Sequence, residues 1–345
     1  MLLKELTDLN GVSGNEDEVR KYIKEKISKL VDEITIDSMG NIIALKKGKS
    51  SKYKIMLCAH MDEVGFIVTG YTDVGTIKFK TVGGIDERIL LGKRVLIGHK
   101  RIPGVIGIKP IHLQESEERK TNIKLKNMYI DIGAENKEEA KKYISLGEYI
   151  SFFSNFVEMG ECAIKAKALD DRVGCAILIE ILEESYEFDL YVCFTVQEEV
   201  GLRGAGVLAY SINPDLAIVI EGTTASDIPS VEKHNYSTIL GNGAVLTIMD
   251  KSCYTNKILI DFIYQTAIRN NIKIQFKQTV TGGNDAGKIQ MSREGIKVAS
   301  ISVPCRYIHS PVSMINKNDF KSCENLLKVL LDEFSKNQDL IRIKI

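Results

Sequence analysis

The sequence predicts an α/β protein whose main domain is interrupted by a small β-barrel, and three observations carry that reading. Residues 166–204 hold an acidic pair (Asp170, Asp171), an apolar-periodic helix, then a β-branched strand from Leu190 to Val196 that ends in a second acidic pair (Glu198, Glu199). Helix followed by buried strand is the second half of a βαβ unit. Between about Thr69 and Gly160 the texture differs: short β-rich runs broken by glycine (Gly83-Gly84, Val95 to Gly98, Gly104 to Ile108) alternate with charged turns. From Ala163 the alternation of helix and strand resumes. The expected organisation is 1–68 as the first part of the main domain, 69–160 as an inserted barrel, and 161–345 as the second part of the main domain.

In chain order, Met1 to Leu9 and Glu16 to Leu30 carry helical periodicity on either side of Gly11-Val12-Ser13-Gly14. Glu33 to Asp37 and Asn41 to Lys46 read as strands joined by a turn at Ser38-Met39-Gly40. Tyr53 to Cys58 is a buried-type strand running into Ala59-His60-Met61-Asp62-Glu63, where His60 and Asp62, two apart, share a face. Inside the insert the spacing predicts one short helix, Lys137 to Ser145, and reads Glu115 to Lys120 (ESEERK) as a solvated, mobile loop. Later elements are Val200 to Leu208, the strand Leu216 to Ile220 ending in Glu221, Gly241 to Met249, a helix near Asn256 to Asn270 and a strand at Lys273 to Lys277. Gly282 to Gly287 opens a segment reaching the strand Lys297 to Val303, followed by His309, and a helix from Lys317 to Phe334 closes the domain.

Composition narrows the function classes. Of 345 residues, 46 are Lys or Arg and 46 are Asp or Glu, so no global field attracts nucleic acid or an anionic membrane surface. Apolar content of 44 % suits a packed core, and no apolar run approaches the ~18 residues of a membrane span. Seven scattered cysteines without a CxxC pair read as free thiols of a reducing compartment. With no h-region in MLLKELTDLNGVSG, the expected location is cytoplasmic.

His60, Asp170, Glu199, Glu221 and His309 share one property: each is expected just after a buried strand. In an open α/β sheet such positions converge on one rim, where ligands bind. Crowded carboxylates there repel one another unless a strong positive charge sits among them. Imidazole and carboxylate suit Zn²⁺, Co²⁺ or Mn²⁺, and two histidines with three acids exceed what one tetrahedral ion needs. The set suits a pair of divalent ions that activates water. Asp62 is placed to accept the second N–H of His60, and Glu198 to move a proton. Each residue also has an ordinary reading: Asp170-Asp171 as a helix cap, Glu198-Glu199 as a solvated pair, Glu221 and Asp227 as surface acids, either histidine as a hydrogen-bonded core residue.

At HxDE, LDDR, QEEVG and IHS the sequence resembles the tetrahedral aminopeptidases, cytosolic dinuclear metallo-exopeptidases also labelled glutamyl or leucyl aminopeptidase or endoglucanase. AHMDEVGFIV, IGIKPIHLQ, MYIDIGA, AKALDDRVG, VQEEVGLRGA, GGNDAG and VPCRYIHSP extend the likeness over nearly the whole chain. The resemblance implies a phosphorylase/hydrolase-like mixed-sheet catalytic domain (1–68 and 161–345), a PDZ-like barrel insert (69–160) used in assembly, and a homo-oligomer, built from dimers up to a tetrahedral dodecamer. It implies short peptides as substrates and two divalent ions per subunit: Asp170 bridging, Glu199 with His309 on one ion, His60 with Glu221 on the other. Asp62 matches the orienting acid, Glu198 the general base, and the Asp170–Asp171 peptide is expected to be cis. Glu221 stands where the family usually has Asp. The expected function is a metal-dependent aminopeptidase. A deacylase or carboxypeptidase on the same site is the first alternative. A glycosidase using Asp62 and Glu198 has little aromatic surface to draw on, with aromatics at 7 % and no Trp. A non-catalytic binding protein would be favoured by a missing ligand.

Overall fold

The computed structural model describes residues 1–49 and 52–342, without the side chains at 117, 118 and 342. The chain opens with α1 (Leu2–Asp8), α2 (Asp17–Ile27), β1 (Glu33–Ile36), β2 (Ile42–Lys46) and β3 (Lys54–His60). There follow β4 (Gly65–Tyr71), β5 (Ile77–Val82), β6 (Arg94–Ile97), β7 (Ile102–Gly107), α3 (Ser116–Lys120), β8 (Tyr129–Asp131), α4 (Lys137–Tyr143) and β9 (Tyr149–Phe152). Next come β10 (Val157–Met159), β11 (Ala163–Ala166), α5 (Leu169–Ile181), β12 (Asp189–Thr195), α6 (Arg203–Ile212) and β13 (Leu216–Thr224). The last group is β14 (Ala244–Thr247), α7 (Lys257–Arg269), β15 (Ile274–Phe276), α8 (Asp285–Gln290), β16 (Lys297–Arg306), β17 (Ser313–Asn316) and α9 (Lys317–Lys336).

Two layers of organisation position the site. The main sheet runs β1-β2-β12-β3-β13-β16-β17-β11-β10, with β14 paired to β16 and β15 to β14. Its centre, β12-β3-β13-β16, is parallel and buried along nearly its whole length, as covering helices on both faces require. Parallel strands point their carboxyl ends the same way, so the residues that leave β12, β3 and β16 gather on one rim. The insert is a closed barrel, β4-β5-β8-β7-β6-β9, with its own core in which Phe66 meets Phe79 and Phe152 edge to face at 5.2 and 5.1 Å. Its first strand begins at Gly65, within the segment read from sequence as the main domain.

Two sequence expectations need correction. Ser116–Lys120 is a short helix rather than a loop, closed by Arg119 and Lys120, cations that suit the negative end of the helix dipole. Neither His60 nor Glu221 lies beyond its strand: His60 is the last residue of β3, still paired with Thr195, and β13 continues to Thr224, because pairing with β16 persists through Thr224 opposite Cys305. The apolar run ends at Glu221, but the backbone ladder does not.

Candidate active site

The site begins with β3. Val219 of β13 stands opposite Cys58, so two residues on Glu221 comes level with His60, and Thr195 of β12 is His60's partner on the other side. His60 is buried, and its Nε2 lies 3.1 Å from Glu221 Oε1, 3.3 Å from Asp170 Oδ1 and 3.9 Å from Glu198 Oε2. Its Nδ1 is 3.1 Å from the Asp62 main-chain oxygen and 3.4 Å from Asp62 Oδ1. Nδ1 thus faces the oxygens of Asp62, and Nε2 faces the carboxylates of Glu221 and Asp170.

The Asp62 carboxylate does more than face the imidazole. Oδ1 accepts the Glu198 N–H at 3.0 Å and Oδ2 the Glu199 N–H at 3.1 Å, while the Ser13 hydroxyl also donates to Oδ2. Asn41, fully buried, accepts the Val196 N–H at 2.9 Å and gives its own amide to Gly204 O. The loop carrying the second acidic pair is thus fixed at both ends.

Asp170 and Asp171 divide their labour at the start of α5. Helical dihedrals begin only after them, and the peptide bond between them is cis. Asp171 spends both oxygens on backbone, accepting from Gly174 N at 3.0 Å and His60 N at 3.2 Å, which is the capping role weighed from sequence. Asp170 instead turns Oδ1 toward His60 and Oδ2 toward His309 Nε2 at 3.4 Å. The approach needs Gly222: a Cβ there would come within 3.0 Å of both Cα and Cβ of Asp170. His309, at φ +58, sits after β16, 3.3 Å from Glu199 Oε2, and its Nδ1 contacts the Gly84 carbonyl of the barrel at 2.8 Å. All seven residues read from sequence therefore meet on one rim.

Electrostatics matches the crowding. Burial pushes Glu199 up to about 8, with Asp170 adding repulsion and His309 offsetting part of it. Burial likewise drives Glu198 and Glu221 well above the ordinary carboxylate range. Asp170 goes the other way despite burial, because hydrogen bonds from His309 and His60 favour its charged form. His309 rises to about 9: burial opposes protonation, but Asp170 and Glu199 outweigh it. Glu221 Oε2 is buried without a hydrogen-bond partner. Among the described residues three subsets could hold a cation: His60 with Asp171 and Glu221, Asp170 with Glu199 and His309, and His60 with Glu198 and Glu199. Since Asp171 is consumed by backbone donors, Asp170 is the better oxygen source beside His60.

Sequence reasoning passed over Ser13, Asn41, the Gly84 carbonyl and Gly222. Polar side chains and glycines with structural partners far along the chain leave no local periodicity to read. It also passed over Asp285, buried in α8, which accepts from the Thr195 hydroxyl at 2.6 Å and from Cys58 Sγ, its other oxygen unpartnered. A cavity of about 560 Å³ opens over the cluster.

A mixed sheet, parallel at its centre, with an inserted barrel and a carboxylate–imidazole cluster on its carboxyl rim is an α/β protein with a concave ligand site where strand ends converge. Residues 40–326 match the family model described as M42 glutamyl aminopeptidase, and the chain belongs to that family: it is an aminopeptidase, a peptide-bond hydrolase. Aminopeptidase APDkam598 from the archaeon Desulfurococcus kamchatkensis has a TM-score of 0.94 at 36 % identity, covering 100 % of this chain and 97 % of that one. The lysyl aminopeptidase of Pyrococcus furiosus is 32 % identical over 96 % of this chain and 96 % of its own length. The TET1 peptidase of Pyrococcus horikoshii, described as able to assemble into a tetrahedron or a large octahedral shell, has a TM-score of 0.85 at 35 % identity, over 95 % of this chain and 98 % of that one. The sheet-plus-barrel fold expected from sequence is the fold of these neighbours.

Proposed function

We propose that this aminopeptidase depends on two divalent metal ions per subunit, zinc or cobalt first and manganese as the third option, and removes N-terminal residues from short peptides. The observation carrying the reading is Asp170, whose two oxygens face two different imidazoles at 3.3 and 3.4 Å, as a carboxylate shared by two centres would. Asp170 would be the common ligand, with His60 and Glu221 on one side and His309 and Glu199 on the other. The donor set is imidazole and carboxylate, and the unpartnered, buried Glu221 Oε2 fits a cation better than a solvent-free acid. Glu221 spans to within 3.1 Å of His60 Nε2, so its extra methylene relative to the family's usual Asp is compatible with the role. Bound ions would polarise the scissile carbonyl and lower the pKa of water to near 7.

The remaining steps belong to the chain. Glu198 receives the proton of the attacking water and delivers it to the departing amine. Asp62 holds His60 in one tautomer and Glu198 in place through its backbone. We infer the family's oligomeric habit for this chain as well, dimers up to a tetrahedral dodecamer, and a cytoplasmic location. The seven unpaired cysteines suit that location, and among the described residues no helix is long and apolar enough to cross a membrane.

The test is hydrolysis of aminoacyl-p-nitroanilides, amine free or acetylated, by metal-stripped protein with Zn²⁺, Co²⁺ or Mn²⁺ added back singly. Activity should return with metal and on free amines only. Turnover that survives stripping would remove the metals from the reaction. Turnover restricted to acetylated substrates would favour a deacylase.

A further inference from the structure

One wall of the cavity over the cluster is joined to the main sheet at few points. Gly282, Gly283 and Asn284 form it, at the end of a stretch, 277–284, without helix or strand. Several of its polar bonds lead only to another irregular loop: Lys251 N donates to Gly282 O at 2.9 Å, and Ser252 Oγ accepts the Asn284 N–H at 3.2 Å. A loop tied to a loop is held only as firmly as its partner. Two side chains reach the sheet instead. Asn284 Nδ2 meets Ser300 Oγ of β16 at 3.2 Å, and Asp285, the next residue, accepts the Thr195 hydroxyl at 2.6 Å.

Thr195 stands beside the reacting centre. It is the partner of His60 on β12, its carbonyl accepts Met61 N at 2.8 Å, and Glu198 follows three residues later. On its other side β3 is no longer paired at this level: pairing with β13 ends at Cys58 and Val219, and the His60 N–H turns to Asp171 Oδ2 at 3.2 Å. The end of β3 therefore hangs on Thr195. The Thr195 hydroxyl has one hydrogen, and of its two acceptors Asp285 Oδ2 is closer than Ala59 O, at 3.3 Å. Burying Asp285 costs stability, because among the described residues its Oδ1 has no hydrogen-bond partner and Cys58 Sγ, at 3.7 Å from Oδ2, is a weak donor. An apolar side chain in the same place would avoid that cost but could not make a short, charge-assisted bond from the wall to the strand beside His60.

We propose that Asp285 is a positioning residue for the reaction: through the Thr195 hydroxyl it holds the cavity wall at 282–284 in fixed relation to the centre at His60, so that a first side chain resting on the wall places its carbonyl over the cluster. The proposal rests on the reading that the peptide's first residue enters this cavity. Because the bond acts through the substrate's contact with the wall, its removal falls on long first residues and spares alanyl, whose methyl group has least to place there. A disturbed metal centre would instead slow every substrate alike.

The experiment measures kcat and KM on alanyl-p-nitroanilide and on whichever of the leucyl, glutamyl and lysyl compounds the wild-type chain turns over fastest. The variants are Asp285→Ala, Asp285→Asn, Thr195→Val and the double variant of Thr195→Val with Asp285→Ala, with metal content and amide hydrogen exchange read on the same samples. Asp285→Ala and Thr195→Val should each lower the long-to-alanyl ratio of kcat/KM about 10 to 100-fold, the scale of a misplacement of about 1 Å, with ions per subunit unchanged and faster exchange at 281–284. Asp285→Asn keeps an acceptor for the hydroxyl and should stay within a few fold of wild type. The double variant should lose no more than the worse single one, because both break the same bond. A ratio that does not move, an equal loss on alanyl, an Asn variant as poor as the Ala one, or additive losses overturns the proposal. If Asp285→Ala does not fold, the near-isosteric Thr195→Val carries the same comparison. A wild-type chain that turns over alanyl as well as every longer residue fails the cavity reading alone. Exchange at 281–284 then decides: faster in Thr195→Val upholds the brace at Asp285, and unchanged overturns it.

Discussion

Asp62 holds Glu198 by its backbone: Oδ1 of the one accepts the N–H of the other at 3.0 Å, and the same carboxylate takes Glu199 N and the Ser13 hydroxyl. One acid therefore links the histidine at the end of β3 to the acids after β12. The barrel contributes in a similar indirect way, since the Gly84 carbonyl orients His309 at 2.8 Å.

Replacing Asp62 with Ala should loosen both acids of the pair at once. Removal of a group that orients ligands typically costs about 10 to 100-fold in metal affinity or activity. The expected outcome is a loss of that size in both metal affinity and kcat, while Ser13→Ala alone, which leaves Asp62 two other donors, should cost less. Competition with a chelator reads the metal side. An Asp62→Ala protein with unaltered affinity and kcat would mean that the loop is held by Asn41 alone.

Glu198→Gln keeps the shape of the side chain and removes its capacity to take a proton. Turnover should fall by roughly 10² to 10⁴-fold, the usual contribution of a positioned acid–base group, with metal content unchanged. Metal analysis beside steady-state rates separates the two effects. Lost metal would recast Glu198 as a ligand, which the His60, Glu198, Glu199 grouping permits.

Much of the site is legible in the sequence because its residues fall at the ends of apolar runs. His60 ends an apolar stretch and the Glu198-Glu199 pair follows another, and both stretches are buried, parallel strands, so their convergence is a consequence of parallel topology. Glu221 lies inside its strand rather than beyond it, because hydropathy reports cover by helices whereas strand length depends on pairing with β16. Asp170 and Asp171 look equivalent in sequence, and only tertiary contacts separate the cap from the acid that faces both histidines. Gly222, Gly84 and Ser13 act through backbone clearance or a single distant bond, and neither leaves a pattern.

Metal stoichiometry should distinguish the shared acid from the terminal ones. Asp170→Ala is expected to lose both ions, because one carboxylate faces both histidines. His309→Ala and Glu221→Ala should each lose one. Elemental analysis of the purified variants gives ions per subunit directly. Equal loss in all three would mean one cooperative centre rather than two half-sites with a common ligand.

Gly222 tests the close approach of β13 to α5. A methyl at this position meets Asp170 Cα and Cβ at 3.0 Å, and backbone on both sides cannot swing aside as a flexible side-chain end would. Gly222→Ala should therefore displace Asp170 and lower metal affinity, with a stability loss of about 1 to 3 kcal/mol for overpacking. Binding isotherms and denaturant midpoints check the two parts. A variant with wild-type affinity would place the slack in α5 rather than in the sheet.

Asp319, in the first turn of α9 and buried, gives a pH prediction away from the site. Its carboxylate accepts Gly241 N at 2.6 Å and Gly243 N at 2.7 Å, yet burial wins and pushes it up to about 6. An unfolded Asp titrates near 3.9, so between roughly pH 4 and 6 the native state binds more protons than the unfolded one. The slope of stability against pH is then negative for this group: its contribution is complete below about pH 4 and is lost as pH rises through about 6. Asp319→Asn cannot titrate, so the wild-type protein should lose stability relative to it between roughly pH 4 and 6, by at most about 3 kcal/mol at 1.36 kcal/mol per unit. Urea midpoints of both proteins across that range give the difference, in which other titrating groups cancel. A difference that stays flat would mean that the two glycine N–H bonds, rather than burial, set the proton affinity of Asp319.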